Sequence, residues 1–340
     1  MATIINSLNT PSRVWRIGRR VLRWIGWGLA ALVGLIAVLA LAGASYEAIA
    51  AAGDARRYPP PGQLVDIGGY RLHIQCVGSG SPTVVLDAGL SGSSLDWSLV
   101  QSELGSSTRV CAYDRAGMGW SDPSPQPRTP RQIADELHTL LTNAGIAGPY
   151  VLVGHSLAGK NVRLFALQHP DQVAGMVLVD ARSEYVDANT APAEVQAFQQ
   201  ALAAQASQYR VARSLGLVRL IGASLWGGPA MPRETRTEGM LLTTSQRGVD
   251  ATTAEGLERA ADDVQLQAAP SLGDRPLIVL AAGQNMAQTP YWAEAQRRQA
   301  ALSTNGRLIV PAGSVHYIHW EQPAVVIDAV RQVIEQARSR

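Results

Sequence analysis

Ser156 lies in the stretch "YVLVGHSLAGK", residues 150–160, between an apolar run and a helix-forming one. Tyr150–Val153 reads as a buried strand, and the small residues around Ser156 force a tight turn. "LAGKNVRLFALQ" then reads as a helix ending at His169–Pro170. A serine so placed exposes its hydroxyl beside a helix N-terminus, the arrangement of a nucleophile elbow. A structural serine in a glycine-rich turn is the plain alternative. A hydroxyl is a weak nucleophile and needs a base. Beyond the last expected strand, "VPAGSVHYIHWEQP" supplies His316 and His319. His316 follows a Gly-Ser loop and can lean over the carboxyl edge of a sheet, so it is the candidate base. His319, on the approach to the final helix, reads as a surface-loop histidine. The six histidines are scattered and "GHSLAGK" lacks the spacing of a phosphate loop, so neither a metal nor a nucleotide cofactor is implied.

The elements that must position these residues alternate between strand and helix. Two alternating runs flank Gly68–Gly69 in "QLVDIGGYRLHIQCVG", a hairpin signal. "PTVVLDAG", "TRVCAYD", "YVLVGHS" and "VAGMVLVDA" follow as strands three to six, with the Thr129-capped helix "TPRQIADELHTLLTNAG" between the fourth and fifth. Residues 182–275 break the rhythm: they are rich in Ala, Gln and Arg at helical spacing and read as a helical cap inserted after strand six. "RPLIVLAAG" and "GRLIVPAG" resume the strands around the helix "YWAEAQRRQAALS", and "PAVVIDAVRQVIEQARS" closes the chain as an amphipathic helix. Such alternation predicts a mostly parallel α/β sheet. The expected core is residues 63–181 with 276–340.

The chain has 340 residues, of which 46% are hydrophobic and 16% charged, enough for one large α/β domain or two small ones. The formal net charge is +2, five arginines, Arg13, Arg16, Arg19, Arg20 and Arg23, crowd the N-terminus, and the near-neutral or slightly acidic remainder suggests no nucleic-acid partner. "WIGWGLAALVGLIAVLALAG", residues 24–43, carries no charge, and the next charged residue is Glu47. Twenty helical residues span about 30 Å, one bilayer core. The expectation is a basic cytoplasmic N-terminus over 1–23, a single transmembrane anchor over 24–45 and a linker over 46–62, with everything beyond outside the cytoplasm. A cleaved signal peptide ending at Ala42-Gly43-Ala44 is the rival, against which the length of the apolar run counts.

From about residue 63 the chain resembles the α/β-hydrolase fold family, through "VVLDAGLSGSSLDW", "AYDRAGMGWSD", "LVGHSLAG", "MVLVDARS" and "GSVHYIHWEQP" in that order. The resemblance implies a Ser-His-acid triad, no cofactor, and an eight-stranded sheet of order 1-2-4-3-5-6-7-8 flanked by helices. It places oxyanion-hole donors at the backbone N–H groups of Leu90 and Leu157, although the family's His-Gly is here Ala88-Gly89. Most relatives carry the acid after strand seven, where this chain has Gln284 and Asn285; others carry it after strand six, where this chain has Asp180. Asp180 is therefore the expected acid, with Asp262 and Asp263 of the cap next in line. Asp114 in the "YDRAG" loop is expected to be structural, and Lys160, one turn past Ser156, to be solvated. Strands two and four are neighbours in this fold, so Cys76 and Cys111 are expected to form a disulfide, with two buried thiols as the alternative. The implied activity is that of a membrane-anchored serine hydrolase acting on a small-molecule ester or lipid-like substrate. A proline-iminopeptidase-like aminopeptidase, using Glu194, Glu234, Glu238 or Glu255 for a substrate amine, and a non-catalytic binding protein are the alternatives. Nothing in the sequence sets the oligomeric state.

Overall fold

A computed structural model describes residues 13–269 and 271–340; residues 1–12 of the basic N-terminal segment lie outside the described residues. The first element is one unbroken helix, α1 (Arg13–Arg57), of 45 residues. Its apolar part is long enough to cross a membrane and none of that part is buried, so Trp24, Trp27 and Leu41 are largely exposed. The stretch expected as a linker is helical as far as Arg57. "EAIAAAGDA" is alanine-rich and therefore helix-favouring, and Glu47 and Asp54, two turns apart on one face, ion-pair with Arg219 at 2.6 and 2.7 Å. The helix stops where Pro59, Pro60 and Pro61 remove three backbone donors and push their predecessors out of the helical region.

The sheet has eight strands: β1 (Gln63–Asp66), β2 (Arg71–Val77), β3 (Thr83–Asp87), β4 (Val110–Tyr113), β5 (Tyr150–His155), β6 (Val173–Val179), β7 (Leu277–Leu280) and β8 (Gly306–Ile309). Their order is β1-β2-β4-β3-β5-β6-β7-β8, as the resemblance implied. β2 is antiparallel to β1 and β4, and every pair from β4 to β8 is parallel. In the β2–β4 register Cys76 faces Cys111, and the two form a disulfide.

Helices cover both faces. α3 (Pro130–Asn143) and α4 (Ala158–Gln168) pack Leu137, Leu141 and Phe165 against Leu152 and Leu178. α2 (Ser98–Leu104) and the last helix, Pro323–Arg338, pack Leu104, Val330 and Val333 against Val153 and Val177 on the other side. Because both faces are covered, β5 and β7 are buried throughout and read as continuous apolar runs.

The insertion after β6 is helical: α5 (Glu184–Ala188), α6 (Pro192–Ser214), α7 (Leu217–Ile221), α8 (Arg233–Thr243), α9 (Gln246–Glu258) and α10 (Asp263–Gln267). After β7 come α11 (Gly283–Gln288) and α12 (Pro290–Ala300), then α13 (Ile318–Glu321) and α14 (Pro323–Arg338). Lys160, expected in solvent, is fully buried. Its ammonium touches Asp187 of α5 at 2.5 Å, Asp263 of α10, and the carbonyl oxygen of Arg259 at 2.8 Å. A lysine on the core helix α4 thus ties down the first and last helices of the cap, and Asp263, a reserve candidate for the acid, is committed to it.

Candidate active site

Ser156 sits where β5 turns into α4, with a φ of 52°. Positive φ is rare for a residue with a side chain and carries strain that persists only where the surroundings enforce it. Here they do: the Ser156 N–H is bonded to the Val179 carbonyl and the Ser156 carbonyl accepts from Gly159 and Arg182. Gly154 and Gly159 allow the crossing, since a Cβ at either would lie within 2.8 Å of Ala158, Val162 or Ala181. Asp180, at the end of β6, is strained in the same way, with a φ of 41°.

These residues converge with His316. The Ser156 Oγ lies 3.0 Å from His316 Nε2, and His316 Nδ1 lies 2.6 Å from Asp180 Oδ2. A carboxylate can only accept, so Nδ1 carries the proton and Nε2 is left free to receive one from the serine. Asp180 is fully buried. Its Oδ1 accepts from the Ala282 N–H and the Trp292 indole N–H, both at 2.9 Å, and its Oδ2 also accepts from the Asn285 amide at 2.5 Å. Asn285 and Trp292 were not singled out for this part from the sequence. Asn285 stands at the position after β7 where the family pattern prefers a carboxylate, and that departure was the available signal.

Of the two expected oxyanion donors, Leu157 directly follows Ser156 and Leu90 directly follows Gly89. Gly89, before Leu90, packs so closely that a Cβ there would lie 2.7 Å from His155 Nδ1 and 3.2 Å from the Ser156 Cβ. Among the described residues neither the Leu90 nor the Leu157 amide N–H has an acceptor. The Leu90 loop is held from beneath by Arg115, whose guanidinium donates to the Ala88 and Gly89 carbonyls at 2.5 and 2.7 Å and to Asp87 at 2.7 Å. Both carboxylate oxygens of Glu255, from the cap helix α9, accept from the same guanidinium at 2.9 Å. Asp114 shapes the adjoining turn, accepting from the Ser94 and Trp120 N–H groups and pairing with His73.

His319 is not on the surface: it is fully buried, packed on Trp97 with ring centroids 4.6 Å apart, and neither ring nitrogen has a hydrogen-bond partner among the described residues. Burial, then the charge of His316, pushes its pKa down to about 3. Burial also drives His155 well below the ordinary histidine range, so its ring is neutral and its Nε2–H donates to the His316 carbonyl at 3.0 Å. Three of the cap glutamates considered for a substrate amine have partners of their own. Glu255 is locked to Arg115, Glu194 caps α6 at the Ala191 N–H, and Glu234 pairs with Arg57. Among the described residues no group of three potential metal ligands is present.

The sequence model of the Alpha/beta hydrolase family matches residues 84–329. An uncharacterized protein of Schizosaccharomyces pombe is 30% identical over 278 residues, covering 72% of this chain and 50% of its own, so this chain spans half the length of that relative. The uncharacterized Bacillus subtilis protein YqjL is 26% identical over 78% of this chain and 89% of its own. A solved esterase from Thermogutta terrifontis superposes with a TM-score of 0.61 at 23% identity, over 81% of this chain and 97% of its own.

Proposed function

Because the chain belongs to the alpha/beta hydrolase family, we propose that it is a serine hydrolase, held in a membrane by α1, that cleaves carboxylic esters through an acyl-enzyme on Ser156. The observation that carries this reading is the continuous line of contacts from Ser156 Oγ through His316 to the Asp180 carboxylate, at 3.0 and 2.6 Å. Ser156 attacks the ester carbonyl as His316 Nε2 takes the hydroxyl proton, and the Leu90 and Leu157 N–H groups receive the oxyanion. Collapse expels the alcohol, which leaves with the proton from His316. Water, deprotonated by the same nitrogen, then releases the carboxylic acid and restores Ser156. Asp180 keeps the imidazole in its working tautomer and stabilises the imidazolium.

The anchor reading rests on the exposed apolar length of α1 and on the arginines at its start, which favour a cytoplasmic N-terminus. The Cys76–Cys111 disulfide is in keeping with an oxidising compartment for the rest.

The test is labelling by a fluorophosphonate probe together with turnover of p-nitrophenyl esters of graded chain length. The expected outcome is a single adduct on Ser156 and hydrolysis by wild type, both lost in Ser156→Ala. An alanine variant that retains turnover removes Ser156 as nucleophile, and a wild type that neither labels nor turns over favours a binding protein on this fold.

A further inference from the structure

The cap carries an apolar face at the level where α1 ends its uncharged run. In α7, Leu217, Leu220 and Ile221 fall at i, i+3 and i+4, one side of a helix, and Leu225 follows the short turn after it. All four are exposed, Leu220 and Leu225 to 68% and 65%. The opposite side is accounted for: Val218 is buried in the cap, Gly222 packs on Met240, and Arg219 reaches across to Glu47 and Asp54 of α1. The face is therefore not left over from poor packing. It belongs to a segment whose other sides are all engaged.

Its height along α1 is set by direct contact. A Cβ on Gly43 would lie 2.2 Å from the Leu215 carbonyl oxygen, and one on Gly216 would lie 3.2 Å from the Tyr46 ring. Leu215–Gly216 is the turn that opens α7. The uncharged run of α1 begins after Arg23, and Gly43 lies twenty residues further on. At ~1.5 Å per residue that is ~30 Å, the thickness of the hydrocarbon layer. A helix that crosses with Arg23 at one boundary brings Gly43, and hence the start of α7, to the other. The nearest cations, Arg213 and Arg219, are neutralised by Glu47 and Asp54.

We infer that the face formed by Leu217, Leu220, Ile221 and Leu225 is embedded in the bilayer interface, so that a lipid surface is the partner of the cap. The face also leads to the candidate site. Trp226, next to Leu225, packs on Trp320 with centroids 5.4 Å apart; Trp320 stacks on Tyr317 at 4.1 Å, and Tyr317 meets His316 edge-on at 5.3 Å. The substrate class that follows is an ester resident in the membrane. This inference rests on the proposed anchoring of α1.

The experiment uses the full chain in vesicles of phosphatidylcholine containing phosphatidylglycerol. Both native cysteines are joined to each other, so a single introduced thiol takes an environment-sensitive nitrobenzoxadiazole label. Labels at Leu220→Cys and Leu225→Cys are expected to emit at shorter wavelength and to be quenched by doxyl lipids. A label at Val264→Cys of α10, as exposed at 77%, is expected to do neither. In parallel, a Leu220→Glu/Leu225→Glu variant is expected to lose about tenfold or more of its turnover on a vesicle-embedded diacylglycerol ester while keeping wild-type turnover on a soluble butyrate ester. Labels at 220 and 225 that behave like the one at 264 overturn the inference, as does an equal loss on both substrates. If wild type hydrolyses neither ester, the hydrolase reading fails and the quenching result alone decides the surface. Release of the wild-type chain from vesicles by alkaline carbonate removes the anchor and this inference with it.

Discussion

Asp180 accepts four hydrogen bonds, and only one of them comes from His316. The other three donors fix the orientation of a buried carboxylate. Asp180→Asn replaces an acceptor with an amide facing four donors, and turnover on a soluble ester is expected to drop by ~10⁴. Asn285→Ala removes one bond to a charged acceptor, worth ~1.5–3 kcal/mol, so kcat is expected to fall roughly 10–100-fold with KM little changed. A KM rise with constant kcat would instead place Asn285 in substrate binding. His319 gives a separate test by pH. Its folded pKa of about 3 lies below that of an unfolded histidine, so the unfolded chain binds the proton first as pH falls. Stability from this group is complete above about pH 6.5 and is lost toward the folded value, at ~1.4 kcal/mol per pH unit. His319→Phe keeps a ring on Trp97 and leaves nothing to protonate, so its urea-unfolding free energy should fall less steeply than wild type by that amount between about pH 6 and 4. Equal slopes would show that His319 takes up its proton in the folded chain. At this scale Ser156 and His316 stood out in the sequence because strand and turn signals frame each of them. Burial of Lys160 and His319 did not, since Asp187 of α5, Asp263 of α10 and Trp97 come together with them only in three dimensions.

Elements explain the same asymmetry. β5, β6 and β7 are short apolar runs, each beginning shortly after a proline (Pro149, Pro170, Pro276), and they appear in the fold with the expected order. Thr129 caps α3 by accepting from the Gln132 N–H, the bond its sequence position suggested. The cap was legible as helical and no further, because helix packing within it is fixed by long-range contacts such as Glu255 to Arg115. The end of α1 was misjudged: three prolines mark a stop, but local composition could not reveal that Glu47 and Asp54 had arginines to meet on α6 and α7. The clasp at Lys160 makes a prediction that belongs to this scale. Removing one member of a buried ion pair strands its partners, so Lys160→Met leaves Asp187 and Asp263 without their shared cation. The variant is expected to lose about 3–5 kcal/mol in urea unfolding, with most of the activity loss traceable to a loosened cap. A loss within error of zero would mean that Arg182 and Arg259, which also reach Asp187, hold it alone.

For the whole molecule, the cap is the hub. It is joined to α1 by Arg213 and Arg219, to α4 by Lys160, and through Arg115 to the Ala88–Gly89 loop by Glu255. The core is joined covalently to α1 only through Tyr58–Gly62, where the Trp120 indole donates to the Tyr58 carbonyl at 3.0 Å and His73 contacts the Pro61 carbonyl at 2.6 Å.

That arrangement inverts the frame of reference for any opening motion. The 45-residue helix α1 is ion-paired to the cap through Glu47 and Asp54. Were α1 fixed in a bilayer as proposed, the cap would stay with it, and any separation of the eight-stranded sheet would have to break the buried pairs at Lys160 and Glu255 and turn about the proline-containing joint Tyr58–Gly62. Admission of substrate would then register as a tilt of the sheet against the membrane normal, with the cap at constant height.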